Sequence, residues 1–235
     1  MTTEELSNEF DTLVNSYSTQ FNYGNIENTI SFDEYEKSIF LTKAQEELLI
    51  EFYNGKNPFR DVFEKSEEVR RYLSELVKTY KTNEKITDGY IGLSPNSVFF
   101  KLPEDAWFIT YEAITIDDSK SGCKDGETIM IVPTTQDEYY KTSKNPFKRP
   151  NERKALRLDI ENNIVEIISK YNVSNYLVRY ITKPKPIILI DLPEGISIDN
   201  LTTKTECRLN PALHRQILDR AIRYALISKG YGAGN

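Results

Sequence analysis

The chain has 235 residues, 39% of them apolar and including 15 Tyr and 11 Phe, which is enough to fill a core and excludes a disordered polymer. Its formal charge of −6 argues against a surface built throughout to hold nucleic acid. No apolar run approaches the roughly 18 residues of a membrane span, and the acidic start MTTEELSNEFD lacks the basic and apolar regions of a signal peptide, so a soluble, cytosol-made protein with no membrane partner is expected.

The first third reads as helices. TTEELSNEFDTLVNSY puts Leu6, Phe10, Leu13, Val14 and Tyr17 on one stripe, with Thr2 and Glu5 spaced as a capping box. TKAQEELLIEFYNG offers Thr42 as N-cap, Gln45 three residues later, and Gly55 as the stop. A third helix is predicted from Glu67 to Tyr80, capped by Ser66 and burying Val69, Leu73, Leu76, Val77 and Tyr80. From about residue 86 the pattern changes to short β-rich runs: SVFFKL, WFITYEAITI, ETIMIVP, ALRLDI, NIVEIIS, NYLVRYIT and PIILIDL. Glu161, Asn162 and Asn163 read as a hairpin turn, and the prolines of TKPKP as a connection between strands. The end returns to helix, with Asn210 as N-cap, Pro211 at the first helical position and Gly230 closing it, before a short tail GYGAGN. The expected fold is α+β: an N-terminal helical bundle, a central antiparallel β-sheet or sandwich, and a C-terminal helix. The parts are a helical stretch 1–85, a β-rich stretch 86–205 and a terminal helix with tail 206–235, together one integrated unit.

Candidates for chemistry are weak. Cys123 and Cys207 are the only cysteines and form no metal-ligand spacing, so both read as free structural thiols. His214, the only histidine, lies on the predicted C-terminal helix. Acidic pairs such as Asp33 with Glu34, Glu46 with Glu47, Asp117 with Asp118 and Asp137 with Glu138 are too common to single one out as an acid/base site. No phosphate loop, nucleophile elbow or zinc-protease motif occurs. A carboxylate-based hydrolase is the only enzymatic reading left, and the expectation is no enzyme, no cofactor and no metal.

One stretch departs from the acidic background. KTSKNPFKRPNERKALR, residues 141–157, carries seven Lys or Arg against one carboxylate, Glu152. Clustered cations with Phe147 allow a nucleic-acid reading. Against it, Pro146 and Pro150 punctuate the run, and ALRLDI reads as a strand with Arg157 and Asp159 on one face and Leu156, Leu158 and Ile160 on the other. A structured basic loop in an acidic chain is better suited to an acidic surface on a neighbouring subunit. Its candidate interface residues are Phe147 as anchor with Lys148, Arg149, Arg153 and Lys154 around it.

NEFDTLVNSY, FDEYEKSIFLTKAQEELLIEFYNG at 32–55, VPTTQDEYYKTSKNPFKRPNERKALRL at 132–158, YLVRYITKPKPIILIDLP at 176–193 and TECRLNPALHRQILDRAIRYA at 205–225 resemble virion structural proteins of crAss-like tailed bacteriophages. Among these the chain is most similar to the ring-forming neck adaptors, and by architecture alone it is also similar to tail-tube adaptors of short-tailed phages. The resemblance implies a non-enzymatic virion component in a portal-associated homo-oligomeric ring, with twelvefold symmetry. Its partners would be the portal and other neck or tail rings, and genomic DNA would pass through the lumen without specific recognition. Another ring or tail position carries similar ingredients. Leu213, His214, Ile217, Arg220 and Tyr224 of the C-terminal helix are the candidates for docking onto the portal or the next ring.

Overall fold

A computed structural model describes residues 1–21, 30–55, 66–117, 126–161 and 163–230. Its elements are α1 (Thr3–Phe21), α2 (Glu34–Asn54), α3 (Glu67–Tyr72), a 3-10 turn (Ser74–Leu76), β1 (Val77–Thr82), β2 (Ser97–Lys101), β3 (Ala106–Ile116) and β4 (Thr128–Pro133). These are followed by α4 (Gln136–Lys144), β5 (Lys154–Asp159), β6 (Ile164–Ile168), β7 (Val173–Thr182) and α5 (Pro211–Ser228). The fold is α+β, and the chain divides into a helical unit (Met1–Leu76 with Lys183–Asn235) and a β unit (Val77–Thr182). No described helix is long and apolar enough to cross a membrane.

In the helical unit, α1 begins with the expected box: Thr2 N donates to Glu5 Oε2 at 2.9 Å, and Glu5 N donates to Thr2 Oγ1 at 3.2 Å. Buried Leu6, Phe10 and Val14 follow at helical spacing and pack with α2 and α5. Lys37 is buried between the first two helices and donates to Asp11 (2.7 Å), Glu34 (2.8 Å) and Ser7 (3.0 Å). Its charge is thereby matched.

α2 corrects one expectation. Its cap is Asp33, boxed with Glu36, and the helix starts two turns before Thr42, although it does stop at Gly55 in the left-handed region (φ 69°). Thr42 is buried mid-helix, on a stripe with Ser38 and Gln45 that binds the backbone of residues 185–189. Thr42 Oγ1 accepts from Ile187 N (3.0 Å) and donates to Ile187 O (3.3 Å). Ser38 Oγ accepts from Leu189 N (3.1 Å), and Gln45 Nε2 donates to Lys185 O (2.8 Å). The PIILIDL run is therefore not a strand, as its composition predicted. Its backbone is satisfied by helix side chains, Pro184 and Pro186 offer no donors, and it keeps one bridge, Ile188 to Thr205.

The third predicted helix also ends early. Ser66 accepts from Val69 N as expected, but α3 stops at Tyr72, and Val77–Thr82 instead pairs antiparallel with β7. The alternation in VKTYKT fits an edge strand once a partner is present, which local helical spacing could not reveal.

The β unit is one seven-stranded sheet in the order β1-β7-β3-β4-β5-β6-β2. All pairs are antiparallel except β4 with β5. Parallel neighbours need a crossover, and residues 134–153 supply it by way of α4. The predicted turn near Asn163 (φ 60°) joins β5 to β6, while Asn162 itself lies outside the described residues. Phe100 on edge strand β2 stacks on Tyr176 of β7 with centroids 5.2 Å apart. Those strands are five positions apart, roughly 24 Å in a flat sheet, so the sheet curls until its ends share one core.

Inside that curl sits a polar cluster. Glu112 on β3 is 5% exposed and accepts from Arg157 Nη1 of β5 at 2.6 Å and from the fully buried Tyr176 hydroxyl of β7. Arg157 Nη2 reaches outward to Asp159 at 3.3 Å. Burial and the adjacent carboxylate push the Tyr176 hydroxyl far above its ordinary range, so it remains a donor.

Removing one side of a buried ion pair strands the other charge, at about 3–5 kcal/mol. Arg157→Met is expected to lower stability by that order in urea unfolding. Adding Glu112→Gln, whose amide still accepts from Tyr176, should recover part of the loss.

Candidate functional site

The crossover 134–153 places most of the basic stretch at the surface. Tyr139 of α4 packs against Leu156, Leu158 and Ile168, covering the sheet face opposite the main core. Arg157 and Asp159 lie on the other face, as the alternation predicted. Beyond α4 the chain is shaped by two asparagines. Asn145 Oδ1 accepts from Phe147 N (2.9 Å), and Asn151 Oδ1 accepts from Arg153 N (2.9 Å) and Lys154 N (3.2 Å). Lys154 Nζ donates to Phe147 O at 2.5 Å. Lys154 is thus half-buried and holds the turn, whereas Lys148, Arg149 and Arg153 project into solvent. Phe147 is 86% exposed.

A second exposed segment stands beside this one. Residues 91–97 are clamped by buried Glu166 on β6, whose Oε1 accepts from Leu93 N (2.7 Å) and from the Ser97 hydroxyl. A side chain at Gly92 would meet Ser97 Cβ at 2.3 Å, so only glycine allows the close approach. Tyr90 packs on Phe99, while Ile91 is 96% exposed. Between the two segments lies a cleft of about 420 Å³, with Ser94 and Asn96 on one wall, Tyr139 and Arg149 on the other, and Ser169 and Lys170 contributing to its lining. Sequence reading missed α4 and the 91–97 wall. Thr135 followed by Glu138 was a legible cap signal, but the clamp on Leu93 depends on a carboxylate 73 residues away.

The five docking candidates on α5 lie against their own unit. Leu213, His214 and Ile217 are buried. Arg220 donates to Glu51 (2.7 Å), and the Tyr224 hydroxyl donates to Glu47. These side chains already have partners, because the apolar stripe that marks the helix is also the stripe that folds it. The exposed face of α5 carries Arg215, Gln216, Asp219 and Arg223.

The remaining candidates have structural roles. Among the acidic pairs, Asp33 caps α2, Glu34 holds Lys37, Glu46 pairs with Lys183 at 2.8 Å, and Asp137 and Glu138 sit in the first turn of α4. Asp118 and Cys123 lie outside the described residues. Cys207 Sγ donates to Gln45 Oε1 at 3.3 Å, and burial pushes its thiol up to about 11, which keeps it protonated and unreactive at neutral pH. Among the described residues no three metal-ligating side chains converge.

His214 Nδ1 lies 2.9 Å from the Met1 amino group and Nε2 lies 2.9 Å from Leu209 O, which sets the neutral tautomer with the proton on Nε2. Burial holds its pKa below the ordinary value, outweighing the opposing pull of Leu209 O. In acid the unfolded chain takes up a proton that the folded chain resists, so this contribution is complete above about pH 6.5 and is lost as pH falls below it. The urea midpoint is expected to drop between pH 7 and pH 5, and His214→Gln should flatten that slope.

Known proteins match this chain over all or nearly all of its length. The family model described as phage tail ring protein 3/4 matches residues 1–235. Ring protein 3 of Bacteroides phage crAss001 is 51% identical, with 100% of this chain and 99% of that protein covered. Ring protein 4/5 of the same phage is 32% identical, over 96% of this chain and 92% of that protein.

Proposed function

The chain belongs to the phage tail ring protein 3/4 family, ring-forming structural proteins of crAss-like bacteriophages, and from that membership we propose that it is a non-enzymatic ring subunit in the neck of the virion. Twelve copies close beneath the portal, join capsid to tail and enclose the passage for the genome. The observation that carries this reading is the end-to-end family match. It is supported by an ordered, solvent-exposed basic segment bearing an exposed aromatic anchor. A closed ring needs two different surfaces per subunit, and such a segment supplies one of them. Two proteins of one phage share this sequence pattern under different ring names, which fits stacked rings built on one fold. The exposed face of α5, with Arg215 and Arg223, is the surface assigned to the portal or the next ring.

The charge balance fits a conduit. Lys plus Arg and Asp plus Glu are equal in number across 77–182, at fifteen each, so the whole excess of −6 belongs to the helical unit. Carboxylates facing a lumen repel phosphate and let DNA slide. The purified protein is expected to run at twelve times its 27.2 kDa chain mass, alone or with portal, and to retain almost no duplex DNA at low salt. Steeply salt-dependent retention that is lost on reversing Lys148, Arg149 and Arg153 would instead establish residues 141–157 as a nucleic-acid-binding module.

A further inference from the structure

The cleft of the β unit has the makings of a socket. Its walls are fixed before any partner arrives: Glu166 and Ser97 hold one segment, Asn145, Asn151 and Lys154 hold the other, and little ordering remains to be done on binding. The two segments also carry Ile91 and Phe147, the most exposed large apolar side chains among the described residues. Arg149 and Lys170 line the cleft, Lys148 and Arg153 stand close by in sequence, and Glu152, 3.5 Å from Lys170, is the nearby counter-charge. Apolar anchors beside arginine on a rigid frame are the composition of an interface centre.

The occupant should be acidic. The first 36 residues of this chain hold eight carboxylates and no Lys or Arg. On α1, Glu4, Glu5 and Glu9 are exposed while Leu6, Phe10 and Val14 face inward. Glu4 has one distant cation, Lys204 at 3.8 Å. We propose that the cleft between residues 91–97 and 139–151 of one copy receives the acidic outer face of α1 of the next copy, as the heterologous contact that closes the ring. This inference rests on the ring reading above and names its two surfaces. Opposite charges on two patches of one chain favour head-to-tail association and speed encounter.

The test uses the full-length chain in two surface variants, Lys148→Glu/Arg149→Glu/Arg153→Glu and Glu4→Lys/Glu9→Lys; the second leaves the Glu5 cap intact. Circular dichroism should match wild type and urea midpoints should stay close to it, because every altered side chain is exposed and the Lys204 pair and first-turn charge lost with Glu4 are weak surface interactions. Each variant alone should associate about tenfold or more weakly than wild type by native mass spectrometry, a change of about 1.4 kcal/mol or more. Mixed together, the two should assemble as an alternating ring, since the acidic cleft of one then meets the basic α1 of the other, and the reverse contact is the natural pair. Wild-type rings with both variants assembling normally, or weakened variants that the mixture does not rescue, would overturn the contact while leaving the ring. A wild type that stays monomeric at its highest soluble concentration, with and without portal, would overturn the ring reading itself.

Discussion

Glu112 and Arg157 meet at 2.6 Å inside a curled sheet, with the Tyr176 hydroxyl on the second carboxylate oxygen. Three strands that are not consecutive in the chain, β3, β5 and β7, thus share one desolvated charge. A one-residue slip in any of them would turn its member of the cluster to the opposite face and leave the other two unpaired in a dry core. The cluster therefore reinforces the register that the buried apolar faces of these strands already favour. Fixing Arg157 fixes the start of β5 at Lys154, and with it the point where the basic turn leaves the sheet. The surface that the neighbour is proposed to meet is positioned by a buried ion pair three residues away.

The helical unit solves a related problem by different means. Residues 186–189 are buried and, apart from the bridge of Ile188 to Thr205, have no strand beside them, so the remaining amides and carbonyls of the run need other partners. Ser38, Thr42 and Gln45, at spacings of four and three on α2, lie on one helix face and act as a side-chain ladder. Ser38 also returns its proton to Glu34 O within the helix. Such a stripe is costly in a helix unless its hydrogen bonds are made elsewhere, which ties α2 to a segment about 145 residues away in sequence. Lys37, on the adjacent position, secures α1 to the same helix.

These two frameworks separate the folding charges from those left for assembly. Arg157, Lys37, Lys154, Arg220 and the capping Glu5 are engaged with their own unit, whereas Lys148, Arg149, Arg153 and Glu9 face water. A ring protein needs that division, because a contact surface drawn into the fold is unavailable to a neighbour. The α5 residues proposed for docking show the difference: Leu213, His214 and Ile217 are buried and Arg220 and Tyr224 are bonded within their own unit, while the exposed face of the helix is polar.

Local sequence determined the parts of this protein whose energetics are local. The Thr2–Glu5 box, the Gly55 stop, the Ser66 and Asn210 caps, strands β2 to β7 and the face-splitting of Leu156, Arg157 and Leu158 all follow from side chains within a few residues of where they act. The resemblance to crAss-like phage virion proteins, carried by stretches spread over most of the chain, was likewise legible, since it is a property of the sequence itself. Tertiary structure decided the rest. VKTYKT became a strand only because β7 offered it hydrogen bonds, PIILIDL failed to become one because α2 took its place as partner, and Thr42 looked like a cap until residue 187 was beside it. The cleft likewise exists only because Glu166 reaches Leu93 and Ser97 across β6 and β2. In each case the deciding hydrogen-bond partner is far along the chain, and a sequence pattern carries no record of which distant group will satisfy a backbone amide.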